Sequence, residues 1–309
     1  MVRHRNIILF LILAAIWGGS YISIKAGLDY FPPVIFAAIR YDIAAIIMLA
    51  YVFSTHEYWY PRTRADWIAT SIGSILIIAG YNYFIFIGEQ MIPAAVAGIL
   101  VGLNPVFATV LSRILLPEEQ LGSLGVAGLV LGFVGIALIA RPDPSNLLTD
   151  DIVGKLFVVM AAACLGGGSV LTQLPNDTQP VITLEAWSMT FGAVLLHFAA
   201  VVRPGETVAA IEWTGEVLLH LLYLAILSSA VAYFIYFDLL DRLGPIEINL
   251  IAYAAAAFGA VFGWLLLNER IDELTIFGFV LIFIGFILVK SYELRQELAR
   301  ISWIRDWTS

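Results

Sequence analysis

The chain is predicted to be an all-α integral membrane protein, with ten transmembrane helices arranged as two inverted five-helix repeats. Three observations carry that prediction. Hydrophobic residues make up 61% of the sequence and charged residues only 13%, and mean hydropathy is +0.92. Soluble domains hold about 25% charged and 45–50% apolar residues. The apolar residues fall into runs of about 20, the length needed to cross roughly 30 Å of hydrocarbon. Finally, Pro93–Glu118 has a fainter copy in Gly244–Glu269, so that Ile114-Leu115-Leu116-Pro117-Glu118 aligns with Leu265-Leu266-Leu267-Asn268-Glu269. The offset of 151 is close to half the chain length of 309.

Taken in order, the predicted spans are 6–27, 33–54, 66–88, 93–116, 122–140, 153–174, 181–202, 215–240, 246–267 and 272–291. Connections are short and turn at prolines, including Pro32-Pro33, Pro61, Pro93, Pro180, Pro204 and Pro245. The first apolar run continues into Trp-Gly-Gly-Ser-Tyr with no small-residue cleavage pattern, so it reads as a span and not as a leader. Residues 1–145 form the first repeat, 151–291 the second, and 292–309 an amphipathic tail with Trp303 and Trp307 among arginines. With the N-terminus inside, ten Lys and Arg fall on the cytoplasmic side against five outside, which places both termini in the cytoplasm. Five spans per repeat is odd, so the second repeat enters the membrane upside down. Sites in such folds lie near the midplane between the halves.

Net charge is −8, with 13 Arg and 3 Lys. Acidic loops with little Lys suggest the plasma membrane of a halophilic prokaryote, because salt screens carboxylate repulsion. The single cysteine, Cys164, excludes a disulfide framework and a Cys-based metal site. No HExxH or GxSxG pattern occurs, so an enzyme, a metal site and a cofactor are not expected. Nothing calls for nucleic acid. The expected partners are a small-molecule substrate and the lipid bilayer; a monomer suffices, and an oligomer stays open.

The order of motifs resembles the drug/metabolite transporter superfamily, EamA type, over nearly the whole chain. The residues are AAIWGGSYISIK at Ala14–Lys25, Arg40, LNP with Glu118, and the glycines Gly125, Gly128, Gly132 and Gly135. In the second half they are AAACLGGGS at Ala161–Ser169, SSAVAYFIYFDLLDRLGP at Ser228–Pro245, LLNERI at Leu266–Ile271, Gly278 and Gly285. The resemblance implies export or exchange of small metabolites, commonly amino acids, by alternating access. It departs at Ala256, which stands where a second midplane proline would match Pro105, so span nine is expected to be straighter than span four.

Candidate site residues follow from the cost of polar groups at membrane depth. Pro105 deprives the Val101 carbonyl of its helical donor. With Asn104 it forms either a polar substrate contact or a kink satisfied by neighbouring hydroxyls. Tyr81, Asn82 and Glu89 in span three, Ser229 and Tyr233 in span eight, and Asn249 and Tyr253 in span nine form polar stripes that suggest a lined cavity. Trp17 either stacks on a substrate or packs as a core aromatic. Gly18, Gly19 and Gly167 read as close packing with possible hinge action. Arg40 needs a partner, Glu89 fitting better than Asp42, and reads as structural or gating. Glu118 and Glu269 read as helix caps or gates. His197, His220 and Asp238 are weak candidates for carrying protons. The substrate is a small zwitterion or another polar organic metabolite. The alternatives are another small organic solute or a membrane scaffold or sensor that transports nothing.

Overall fold

A computed structural model describes residues 2–115, 123–140, 150–243 and 251–289, all of them helix or connecting segment. Glu118, Asn249 and the tail 292–309 lie outside the described residues. The helices are α1 (Val2–Gly27), α2 (Pro33–Thr55), α3 (Arg64–Met91), α4 (Ala94–Val101) and α5 (Asn104–Leu115). They continue with α6 (Ser123–Ala140), α7 (Asp150–Leu171), α8 (Val181–Val202), α9 (215–243), α10 (Ile251–Leu267) and α11 (Glu273–Val289). α4 and α5 are the two halves of the fourth span. Seven spans among the described residues are long and apolar enough to cross a membrane, and α10 and α11 are shorter apolar helices.

Helix starts follow the prolines. Pro32, Pro93 and Pro180 stand at the N-caps of α2, α4 and α8, where a missing N–H costs nothing and the ring presets φ. The fourth span breaks at Gly102-Leu103, and Pro105 opens α5 in its first turn. α10 runs unbroken through Ala256, as the absent proline implies.

The packing repeats when the halves are exchanged. α2 lies on α8 and α6 on α11, each pairing a span with its own counterpart. α1 packs on α10 as α5 packs on α7, and α3 meets α7 as α9 meets α1. Each repeat therefore completes the other's interior. A π-helical stretch occurs in α3 at Gly73–Gly80 and again in α9 at Tyr223–Val231, which are equivalent positions in the two repeats. Such stretches are rare and concentrate at functional sites; periodicity alone did not predict them.

The two membrane faces are tied differently. At the face bearing the start of α1 (the N face), Asp66 is fully buried. It forms a capping box with Thr63, and its carboxylate accepts from the Arg62 N–H, the Tyr58 hydroxyl and the Thr178 N–H. It thereby joins the α2–α3 loop to the segment before α8. At the opposite face, carboxylates cap helix starts across the molecule. Glu206 accepts from the N–H groups of Val34 and Ile35 at 3.0 Å each. Glu269 accepts from Ala94 at 2.8 Å and Ala95 at 3.0 Å. Lys25 donates to the carbonyls of Glu89 at 2.6 Å and Ile92 at 3.0 Å.

Candidate functional site

A cavity of about 490 Å³ lies between the repeats. α1 contributes Trp17, Ser20, Tyr21 and Ile24; α2 contributes Arg40 and Tyr41; α3 contributes Ile77 and Tyr81. The broken fourth span presents Val101, Asn104, Pro105, Ala108, Thr109 and Ser112 along its length. Opposite them stand Ser169 and Gln173 at the end of α7, Glu185 of α8, Ser228, Tyr233 and Tyr236 of α9, and Ile251 of α10. The lining therefore runs from Ile24, about one turn from the far end of α1, and Arg40, about two turns into α2, to the helix ends at the N face.

Of the expected residues, the cavity gathers Trp17, Arg40, Tyr81, Asn104, Pro105 and Tyr233. Val101, whose carbonyl loses its donor to Pro105, is on the wall as well. Thr109 bonds the Pro105 carbonyl at 2.7 Å, closing the first turn of α5. Trp17 is tethered: its Nε1 donates to the Ser228 carbonyl at 3.3 Å, and its ring lies 6.2 Å from Tyr233 and 5.6 Å from Tyr236.

Asn82 and Ser229 stand one step behind the wall. Both are fully buried, and both accept from Arg40, Ser229 Oγ from Nε at 3.2 Å and Asn82 Oδ1 from NH1 at 3.4 Å. Asn82 also donates to the Tyr41 hydroxyl at 3.2 Å and to the Ile78 carbonyl at 2.8 Å. Ser229 donates five residues back to Leu224 at 2.9 Å, a bond that the π geometry of α9 makes available. These two residues position Arg40 and do not line the cavity. The expected Arg40–Glu89 pair does not form. Arg40 bonds the neutral acceptors of Ser229 and Asn82 instead and stacks by Tyr41, its guanidinium carbon 4.9 Å from the ring centroid. Glu89 is enclosed, with both carboxyl oxygens unpartnered among the described residues. Asp42 serves His197, at 2.8 Å. Asp238 bonds Arg242 and Arg5.

Tyr253 is misplaced by the stripe argument. It packs edge-on against Phe283 at 5.2 Å, toward α11, while α10 offers the cavity Ile251, Ala252 and Ala255. Polar spacing on a helix cannot tell a cavity-facing tyrosine from one at a helix–helix seam. The glycines are mainly packing devices. A methyl on Gly18 would lie 2.6 Å from Phe258 Cβ and 2.7 Å from the Ala255 carbonyl. In the triple glycine, Gly166 faces the Asn104 carbonyl and Gly168 lies on Ile77, whereas Gly167 has ordinary room beside Leu111. Gly19 lies against the Tyr223 hydroxyl. Glu269 is a cap, as its bonds to α4 show.

Glu185 went unnoticed in the sequence. It sits one turn into span seven, where an acidic residue reads as an ordinary favourable charge at a helix start. Only the packing turns it toward the cavity.

The sequence profile of the EamA-like transporter family matches residues 4–141 and 152–291. The chain is 27% identical over 270 residues to the uncharacterized transporter YoaV of Bacillus subtilis, covering 87% of this chain and 91% of that one. It is 25% identical over 299 residues to an uncharacterized transporter of Archaeoglobus fulgidus, with 94% and 99% covered. The uncharacterized inner membrane transporter YedA of Escherichia coli K12 is 24% identical over 282 residues, with 88% and 89% covered. A crystal structure with 19% identity superposes with a TM-score of 0.64 over 95% of this chain and 99% of that chain, a likeness of fold.

Proposed function

Because the chain belongs to the EamA-like transporter family, we propose that it is a secondary transporter that exports or exchanges small polar metabolites such as amino acids. The observation that carries this reading is the cavity between the repeats. There the open end of a broken helix, Asn104-Pro105, shares the lining with Arg40, whose hydrogen bonds go to the neutral groups of Ser229 and Asn82. Arg40 is 6% exposed and, among the described residues, forms no direct ion pair, the buried Glu89 carboxyl acting on it only at longer range. A buried charge of that kind is compensated most directly by an anionic group on a bound solute. Aromatic walls from Trp17, Tyr81 and Tyr233 add apolar area and π faces, the usual composition of a small-molecule site. Trp17, Asn104, Pro105, Tyr81 and Tyr233 form the binding surface in this reading, and Asn82 and Ser229 hold Arg40 in place.

Alternating access is supported by contacts that join helices at both faces and would have to break and re-form in turn. Glu206, Glu269 and Lys25 tie helices together at the far face. Asp66 joins the two repeats through Thr178 at the N face. The excess of Lys and Arg on that side assigns it to the cytoplasm, with both termini there. Acidic loops point to a prokaryotic, salt-adapted plasma membrane. The repeats are taken as 1–145 and 151–291, and a single chain encloses the pathway.

The test is counterflow of pooled labelled amino acids in proteoliposomes, wild type beside Asn104→Ala. Exchange in the wild type, lost in a folded mutant, is the expected result. Exchange that survives the substitution moves the site toward Tyr233 and α9. Absence of amino-acid exchange in the wild type refutes the substrate class and favours another organic solute or a scaffold role.

A further inference from the structure

We propose that Glu185 is a cation station in the N-face half of the cavity, holding an organic ammonium group when loaded and a proton when empty. This rests on the transporter reading above and adds a ligand chemistry to it.

Glu185 lines the cavity yet is only 9% exposed, and its Oε2 is sealed from solvent without a hydrogen-bond partner among the described residues. An ionised carboxylate in such surroundings is costly and is neutralised by a cation or a proton. No Lys or Arg among the described residues is paired with it. Three aromatic rings stand on the same cavity: Trp17, Tyr233 and Tyr236 are mutually 5.6–6.4 Å apart. Tyr233 and Tyr236 lie within electrostatic reach of the Glu185 carboxyl. Aromatic faces beside one carboxylate are the elements that hold organic ammonium groups.

The other charged groups around α8 are engaged elsewhere. On α2, Asp42 is bonded to His197, which stands about 18 Å further along α8 at 1.5 Å per residue. Arg40 lies beyond that level, with Ser229 and Asn82. On α3, Asp66 is saturated by Tyr58, Thr63, Arg62 and Thr178. Glu185 therefore stands at a different level of the cavity from Arg40, nearer the N face, with Tyr233 within electrostatic reach of both. A proton and an ammonium group competing for one carboxylate couple solute movement to proton movement.

The experiment measures the half-saturation of amino-acid counterflow at a series of pH values for wild type, Glu185→Gln and Glu185→Asp. For wild type, half-saturation is expected to rise about tenfold per pH unit on the acid side, since one proton competes with one ligand. Glu185→Gln is expected to lose that slope, and Glu185→Asp to keep it. A Glu185→Gln protein with wild-type affinity and pH profile overturns the proposal. If that variant is inactive, carbodiimide labelling of wild-type protein in nanodiscs decides, read by peptide mass spectrometry with ethylammonium as the probe. Labelling at Glu185 that ethylammonium suppresses supports the station. Labelling indifferent to ethylammonium, or none at Glu185, overturns it. The labelling needs no transported solute, so a wild type that exchanges no amino acid sinks the substrate reading and leaves the station to this measurement.

Discussion

Replacing Glu269 by alanine should loosen the far face in a measurable way. Glu269 follows Asn268, whose φ of 54° places it in the left-handed region that asparagine tolerates, and the Glu269 N–H returns to the Gly263 carbonyl at 3.1 Å. The turn swings the side chain onto the start of α4, where its two oxygens accept from Ala94 and Ala95 at 2.8 and 3.0 Å. Both alanines are fully buried, so the substitution leaves two N–H groups at a helix start without acceptors. A hydrogen bond to a charged group contributes about 1.5–3 kcal/mol, and the favourable charge at the helix N-terminus about 0.3–1 kcal/mol more. Allowing for partial exposure and repair by water, the expected loss is about 3 kcal/mol, or about 6–10 °C in apparent Tm for a chain of this size. Glu269→Gln retains one good acceptor and should fall about midway. The assay is thermal unfolding in detergent, followed by size-exclusion fluorescence. A Glu269→Ala protein melting within about 1 °C of wild type would refute the reasoning, because a bond that contributes nothing cannot hold the face shut.

Two further predictions test the frame of the site. Gly166→Val should abolish folded expression, since any side chain there meets the Asn104 carbonyl. Gly167→Ala, with only Leu111 at 3.7 Å, should change Tm by less than about 1 °C. Size-exclusion profiles of the two proteins provide the comparison, and equal damage would mean the α5–α7 contact is wrongly placed. Asn82→Leu removes bonds to Arg40, Tyr41 and Ile78 at a fully buried position and should cost about 2–3 kcal/mol. It should also lower exchange by about tenfold through misplacement of Arg40, without altering the aromatic walls. Full exchange in a destabilised Asn82→Leu protein would separate Arg40 from the solute.

Hydropathy alone determined the class of this protein, because a bilayer admits only segments that satisfy their own backbone. The prolines marked the helix starts, and Asn104-Pro105 marked the break, because ring closure and the missing N–H act locally and need no partner. The 151-residue repeat already implied inversion, because an odd number of crossings reverses direction. What the sequence left open was the direction in which side chains point. Asn82 and Tyr253 sit on stripes of the same kind, yet one props Arg40 and the other packs on Phe283. Arg40 chose neutral acceptors over Glu89, a preference set by which helix faces meet. The π turns in α3 and α9 carry no local mark in the sequence, and Ser229 gains its acceptor from one of them. Glu185 has the sequence position of a helix-start acid, and only the packing of α8 puts it on the cavity. Each of these depends on how the helices are rotated about their axes. Contacts between residues far apart in the chain decide that rotation, and a local pattern of apolar and polar positions leaves it undetermined.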